Sequence, residues 1–138
     1  MSAKINRAAR MREMLQITQE LGNGGALVRA GDVISEAIRR IPLEDVELEL
    51  LSNGKPRGEV NARWSSRELV EAGWLQKDPD GSSWTATEAG IAALRDHPEI
   101  ADFANQSRRL STEWRTNRKV VRSEQLSTVI LPLNDDQA

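Results

Sequence analysis

Arg63 and Arg67 lie four residues apart in the run Asn61-Ala62-Arg63-Trp64-Ser65-Ser66-Arg67. On a helix that spacing places two guanidinium groups on one face. Guanidinium groups are planar, permanently charged and forked, which suits phosphates and guanine edges. Asn61 carries the amide that pairs with an adenine edge. Lys55 and Arg57 add charge just before the helix, Lys77 follows it, and Trp64 offers a flat face for stacking. An isolated pair of arginines is more often a solvated charged face, so the surrounding elements decide what these residues can do.

The other chemistry-bearing residue types are sparse. There is no cysteine, and His97 is the one histidine, placed before Pro98 where a loop or capping role suits it. A His/Cys metal cluster and a Cys-His nucleophile are therefore excluded. Asp78, Asp80 and Asp96 sit where turns and caps call for them, and Gly22 to Gly25 lacks the Lys and Ser/Thr of a phosphate-cradling loop. No catalytic residue, cofactor or metal is expected; the chain reads as a binding domain, not an enzyme.

The elements that would position the arginines are legible. Ser52 to Gly58 has the composition of a loop, and Glu59 to Ala72 runs without a breaker until Gly73. Ala62, Ser65, Leu69 and Ala72 form a small-residue face at helical spacing. Trp74 to Lys77 and Ser83 to Thr85 read as two short strands around Asp78-Pro79-Asp80-Gly81, and Thr85-x-x-Glu88 predicts a capping box opening another helix. Helix, hairpin, helix is the second half of a winged helix-turn-helix. Burial beneath the wing is the ordinary role for Trp84, and less firmly for Trp64.

Upstream, a helix over about 3–21 carries Ala8, Met11, Leu15, Thr18 and Leu21 on one stripe and ends at Gly22-Asn23-Gly24-Gly25. Ala26 to Arg29 suits a short strand pairing with the hairpin. Asp32 is expected to cap a helix that buries Val33, Ile34, Ala37 and Ile38 and stops at Pro42. Val46 to Leu50 alternates like a strand, but the Pro42-Leu43-Glu44-Asp45 start and the spacing of Leu43, Val46, Leu50 and Leu51 favour a helix. Downstream, a helix spans 98–123. Ile100, Phe103, Ser107, Leu110, Trp114, Asn117 and Val121 form a seam that could pack on the domain or pair with a second copy.

The residues Asn61-Ala62-Arg63-Trp64, Leu69, Ala72-Gly73-Trp74-Leu75 and Trp84-Thr85-Ala86-Thr87-Glu88-Ala89-Gly90 resemble the N-terminal winged-helix domain of the Mrr-type, modification-dependent restriction family. The resemblance covers roughly 21–98. It departs from the pattern at Trp74, where Leu is usual, and at Glu68, where an aromatic is common. It implies a fold that is mainly α with a small β-hairpin: a winged helix-turn-helix with an extra N-terminal helix and a long C-terminal helix. The expected organisation is a DNA-binding domain over 1–98, a helical extension over 99–123 and a tail or linker over 124–138. The partner implied is double-stranded DNA, met by helix 59–72 and wing 74–85 through Lys55, Arg57, Asn61, Arg63, Trp64, Arg67 and Lys77. A restriction or phage-defence system is the implied setting, with nuclease or motor chemistry in a downstream domain. Two alternatives stand beside it: a dimeric winged-helix regulator, homodimeric through 98–123, and a winged helix that docks a partner subunit.

Composition bounds these readings. The chain has 138 residues, of which 38% are apolar, enough for one modest core. It has no membrane-length apolar run, and a cytoplasmic location is expected. The net charge of −2 speaks against coating nucleic acid by bulk charge. Segregation matters more: Met1 to Arg12 carries +4, Asn53 to Arg67 +3 and Arg108 to Arg122 +5, while acids gather at Glu44-Asp45-x-Glu47-x-Glu49. A basic face on an acidic protein is the expectation.

Overall fold

Met14, Leu15 and Ile17 are fully buried although they point in different directions around α1 (Ala3–Gly22), so this helix runs through the middle of the core. The computed structural model describes residues 3–23 and 25–137, with side chains described for 6–23 and 25–122. Around α1 the chain places β1 (Val28–Arg29), α2 (Ala30–Arg40), α3 (Asp45–Leu48), α4 (Arg57–Glu71), the hairpin β2 (Leu75–Lys77) and β3 (Ser83–Ala86), then α5 (Glu88–Asp96) and α6 (Ile100–Gln137). Helices α2, α4, α5 and α6 and strand β3 all pack against α1. No helix among the described residues is long and apolar enough to cross a membrane.

The three strands form one antiparallel sheet in the order β1-β3-β2, with Val28 opposite Trp84 and Lys77 on the other side of Trp84. The short strand before α2 thus pairs with the hairpin as its sequence predicts. The turn also follows its composition: the Gly81 N–H donates to the Asp78 carbonyl, Pro79 takes the position with fixed φ, and Gly81 has φ +75°.

Several boundaries differ from the expectation, each for a local reason. Asp32 lies in the first turn of α2 and does not cap it; the Ala30 N–H donates to the Ser82 carbonyl, so β1 passes straight into the helix with Arg29 at its N-cap. The helix expected over Leu43–Leu51 shrinks to the four residues of α3, closed by a reciprocal Glu44–Glu47 capping box. Beyond it Leu50 bridges Pro56, so the strand-like alternation there also had a physical basis. The cap of α5 is Thr87 and not Thr85: its Oγ1 accepts from the Gly90 N–H at 3.0 Å and donates to the Gly73 carbonyl at 2.7 Å. Helix α6 continues to Gln137, past the expected stop at Ser123. Phe103, Ser107 and Ser111 are buried in the first half of α6, while Trp114, Val120 and Val121 stay exposed. Leu21, expected on the buried stripe of α1, is 56% exposed.

Two close fits set where α4 and α5 lie. Arg10 is buried at 2% side-chain exposure against Glu47 at 4%. Its Nη1 donates to Glu47 Oε2 at 2.6 Å, its Nη2 to Glu47 Oε1 at 3.2 Å and to the Ile41 carbonyl at 2.9 Å. That guanidinium fastens the corner between α2 and α3 to α1. Gly58, in the first turn of α4, then packs so closely that a Cβ would overlap Leu43 and meet the Glu47 Cβ at 3.0 Å. At the other fit, a Cβ on Gly90 would overlap the Trp74 carbonyl.

Burial opposes the charge on Glu47, but Arg10 and the Glu44 N–H hold its carboxyl below the ordinary carboxylate value. A depressed carboxylate stabilises fully above its unfolded pKa, and that stabilisation is lost as pH falls through the folded value. Glu47→Ala should therefore cost about 3–5 kcal/mol in urea denaturation, because it strands a buried guanidinium. Glu47→Gln should make stability fall less steeply than wild type between neutral and acidic pH. Gly90→Ala should cost about 1–3 kcal/mol or more by the same assay, since the added carbon meets backbone that has nowhere to move.

Candidate nucleic-acid interface

The buried face of α4 consists of Gly58, Ala62, Ser65, Ser66 and Leu69. Small side chains let the helix approach α1 and the hairpin closely, and the remaining positions are pushed outward. Arg63 and Arg67 are exposed, as their spacing predicts, and Trp64 between them is 60% exposed. Trp74 and Trp84 are buried, so the role of core aromatic falls to them and not to Trp64.

Arg63 stands beside the hairpin turn in a shallow cleft that it lines with Arg29, Asp32 and Ser82. It makes no ion pair among the described residues. Arg67 is 63% exposed, with its Nε 3.4 Å from Glu71 Oε2. Glu71 therefore partly neutralises Arg67, but it is shared with α6. Burial raises the cost of its charge, but Arg115 at 2.9 Å, Ser111 at 2.7 Å and the nearby Arg67 hold its carboxyl below the ordinary value. Its negative charge is thus divided, Oε1 toward Arg115 and Ser111 on α6 and Oε2 toward Arg67.

Lys77 joins this pair from β2. Its Nζ donates to Ser66 Oγ at 2.8 Å and lies 5.3 Å from the centre of the Trp84 ring. Burial and then the charges of Arg63 and Arg67 push its pKa below the ordinary lysine value. Lys77 was expected out on the wing; instead it leans back against α4 and completes a three-cation cluster there. The tip of the hairpin carries Asp78 and Asp80, tied to Ser82 and Ser83, and no cation. An acidic tip repels a phosphate backbone, so any contact from the hairpin must come from the base of the wing.

The other predicted residues lie apart from this cluster. Lys55 is exposed in the loop before α4, where its N–H donates to Asn53 Oδ1 at 3.0 Å. Arg57, at the start of α4, is 3.4 Å from Glu49 and partly neutralised by it. Asn61 is half-buried.

The three basic segments do not all reach the surface. In the first, Arg10 is buried and Arg12 turns inward, donating to the carbonyls of Leu94 at 2.9 Å and His97 at 3.2 Å. Only Arg7 is exposed among its described arginines. In the third, Arg109 pairs with Glu113, Arg115 pairs with Glu71, and Arg118 lies over the Trp114 ring. What assembles around α4 is Arg63, Arg67 and Lys77, joined by Arg7, Arg29 and Arg108, three residues that the sequence reading did not single out. For Arg29 the signal was present: Val28 faces the core, and strand alternation turns its neighbour outward.

Comparison with family models, curated proteins and solved structures gives no match. The functional reading therefore rests on the geometry of this surface. His97 serves structure: its N–H ends α5 on the Ala93 carbonyl, and its Nδ1 lies 2.6 Å from Asp102 Oδ2.

A lysine whose pKa is depressed on folding costs stability at neutral pH, and the cost is relieved as pH rises above its folded value. Lys77→Met keeps the apolar stem and removes the charge. It should leave the melting temperature unchanged or raise it at pH 7, and the gain over wild type should shrink toward pH 10. Differential scanning calorimetry at the two pH values checks this.

Proposed function

We propose that this chain is a winged helix-turn-helix module that binds double-stranded DNA, with α4 as the helix presented to the major groove. The order of helix, strand, three helices and hairpin, with β3 central in the sheet, agrees with that fold. The observation that carries the reading is the exposure of Arg63 and Arg67 on α4 with the half-buried Lys77 beside them, Glu71 being shared between Arg67 and Arg115. Exposed arginines on a helix offer forked donors to guanine edges or phosphates, and their mutual repulsion is relieved when an anion arrives. Lys55 and Arg57 would reach phosphates at the start of α4, and Asn61 would lie toward a base edge.

We extend the proposal to a restriction or phage-defence system, with the catalytic step in a separate domain; its support is the resemblance of Asn61 to Gly90 to the Mrr-type winged helix. A dimeric regulator is a second reading, favoured by the exposed Trp114, Val120 and Val121 on α6. Light scattering that finds a monomer at high concentration would speak against it.

Arg63→Ala combined with Arg67→Ala should weaken binding to a blunt duplex and lower the slope of log affinity against log salt by roughly 0.9 for each phosphate contact removed. Anisotropy titrations at several salt concentrations measure both. Identical affinity and slope in wild type and double variant would overturn the assignment of α4. Duplexes of the same sequence with and without base modification, titrated in parallel, test the link to modification-dependent restriction.

A further inference from the structure

On the side of α4 away from the hairpin, an open groove of about 1110 Å³ runs between α1, α4 and the start of α6. Its floor is aliphatic, from Met11, Ile100 and Ala104, and the exposed Trp64 stands in its wall. Arg7, Arg67, Arg108 and Arg115 line it against two acids, Glu68 and Glu99. Glu68 is drawn toward α6, where its Oε2 accepts from Ser107 Oγ at 2.8 Å. Arg67 belongs both to this groove and to the cluster with Arg63 and Lys77.

We infer that this groove holds a short single-stranded nucleic-acid segment adjoining the duplex, with one base stacked on Trp64 and its phosphates on Arg7, Arg67 and Arg108. The inference rests on the DNA-binding reading and extends it around α4. An indole left 60% exposed beside guanidinium groups is the combination that non-specific single-strand binding uses: aromatic faces for bases and cations for the backbone. Arg7 and Arg108, which pair with no carboxylate among the described residues, make the groove complementary to an anionic strand, while Arg67 and Arg115 share Glu71. Because Arg67 faces both ways, a strand leaving the duplex at α4 enters the groove without crossing an uncharged stretch. The aliphatic floor accepts the remaining base faces with no demand for a particular sequence.

The test uses the full chain and three probes: a blunt duplex, the same duplex with an oligothymidylate overhang, and the free oligothymidylate. The overhang should tighten binding about fivefold or more over the blunt duplex, the scale of one stacked base. Asn105→Glu, an exposed change in the groove lining and outside the cationic cluster of α4, should abolish that advantage and leave blunt-duplex affinity and the circular dichroism spectrum as in wild type. Oligothymidylate should quench tryptophan fluorescence in wild type and in Trp114→Phe but not in Trp64→Ala, because Trp74 and Trp84 are buried. Equal affinity for blunt and overhanging duplexes would overturn the inference while leaving the duplex reading intact. Absence of binding to all three probes would overturn both. Capture of an acidic amphipathic peptide, with oligothymidylate unable to compete, would assign the groove to protein and overturn the inference as well.

Discussion

The buried pair of Arg10 and Glu47 is the constraint from which the position of α4 follows. A guanidinium withdrawn from water must have its donors satisfied, and here the Ile41 and Pro42 carbonyls and both Glu47 oxygens satisfy them. This fixes the corner between α2 and α3 on α1 and sets Glu47 where only a glycine, Gly58, can pass. The first turn of α4 is thus placed by the charge pair together with the Leu43 side chain that Gly58 packs against. Its middle is placed differently: Ala62, Ser65 and Leu69 are small enough, or apolar enough, to lie flat on α1.

The hairpin and α5 follow from a second close fit. Trp84 is the hub of the sheet, paired on one side with Val28 and on the other with Lys77. The Gly90 backbone rests against the Trp74 carbonyl; Thr87 accepts from the Gly90 N–H through its hydroxyl, which donates to the Gly73 carbonyl, and its own N–H donates to the Trp74 carbonyl. The run from Trp84 to Gly90 therefore has a packing explanation independent of any family: buried aromatic, cap residue, and a glycine where the backbones touch. Trp74 packs against Phe103 with the rings tilted by 45° and 4.9 Å between their centres, so the start of α6 is held by the same corner.

Electrostatics then divides the surface. An acidic chain gathers a cationic patch because several carboxylates are used internally: Glu47 by Arg10, Glu71 by Arg115 and Ser111, Glu68 by Ser107. The corresponding loss falls on the basic side, where Arg10 and Arg12 are internal as well. The patch that survives is narrower than the segment charges suggested, centred on α4, and the acidic hairpin tip borders it. Under the duplex-binding proposal, that border would limit how far a duplex extends along the hairpin.

The order of helices and strands was written in the sequence, because glycine and proline punctuation and apolar spacing act locally. Arg63 and Arg67 could be assigned to an outward face for the same reason: helical period and a small-residue face opposite them are properties of fifteen consecutive residues. What only the tertiary structure decided was the fate of each charge. Whether an arginine is a surface contact or an internal strut depends on residues thirty or more positions away, as with Arg10 and Glu47 or Arg115 and Glu71. The inward lean of Lys77, the exposure of Trp64 and the groove beside α6 belong to the same class, since each is set by which elements meet and not by the spacing within one.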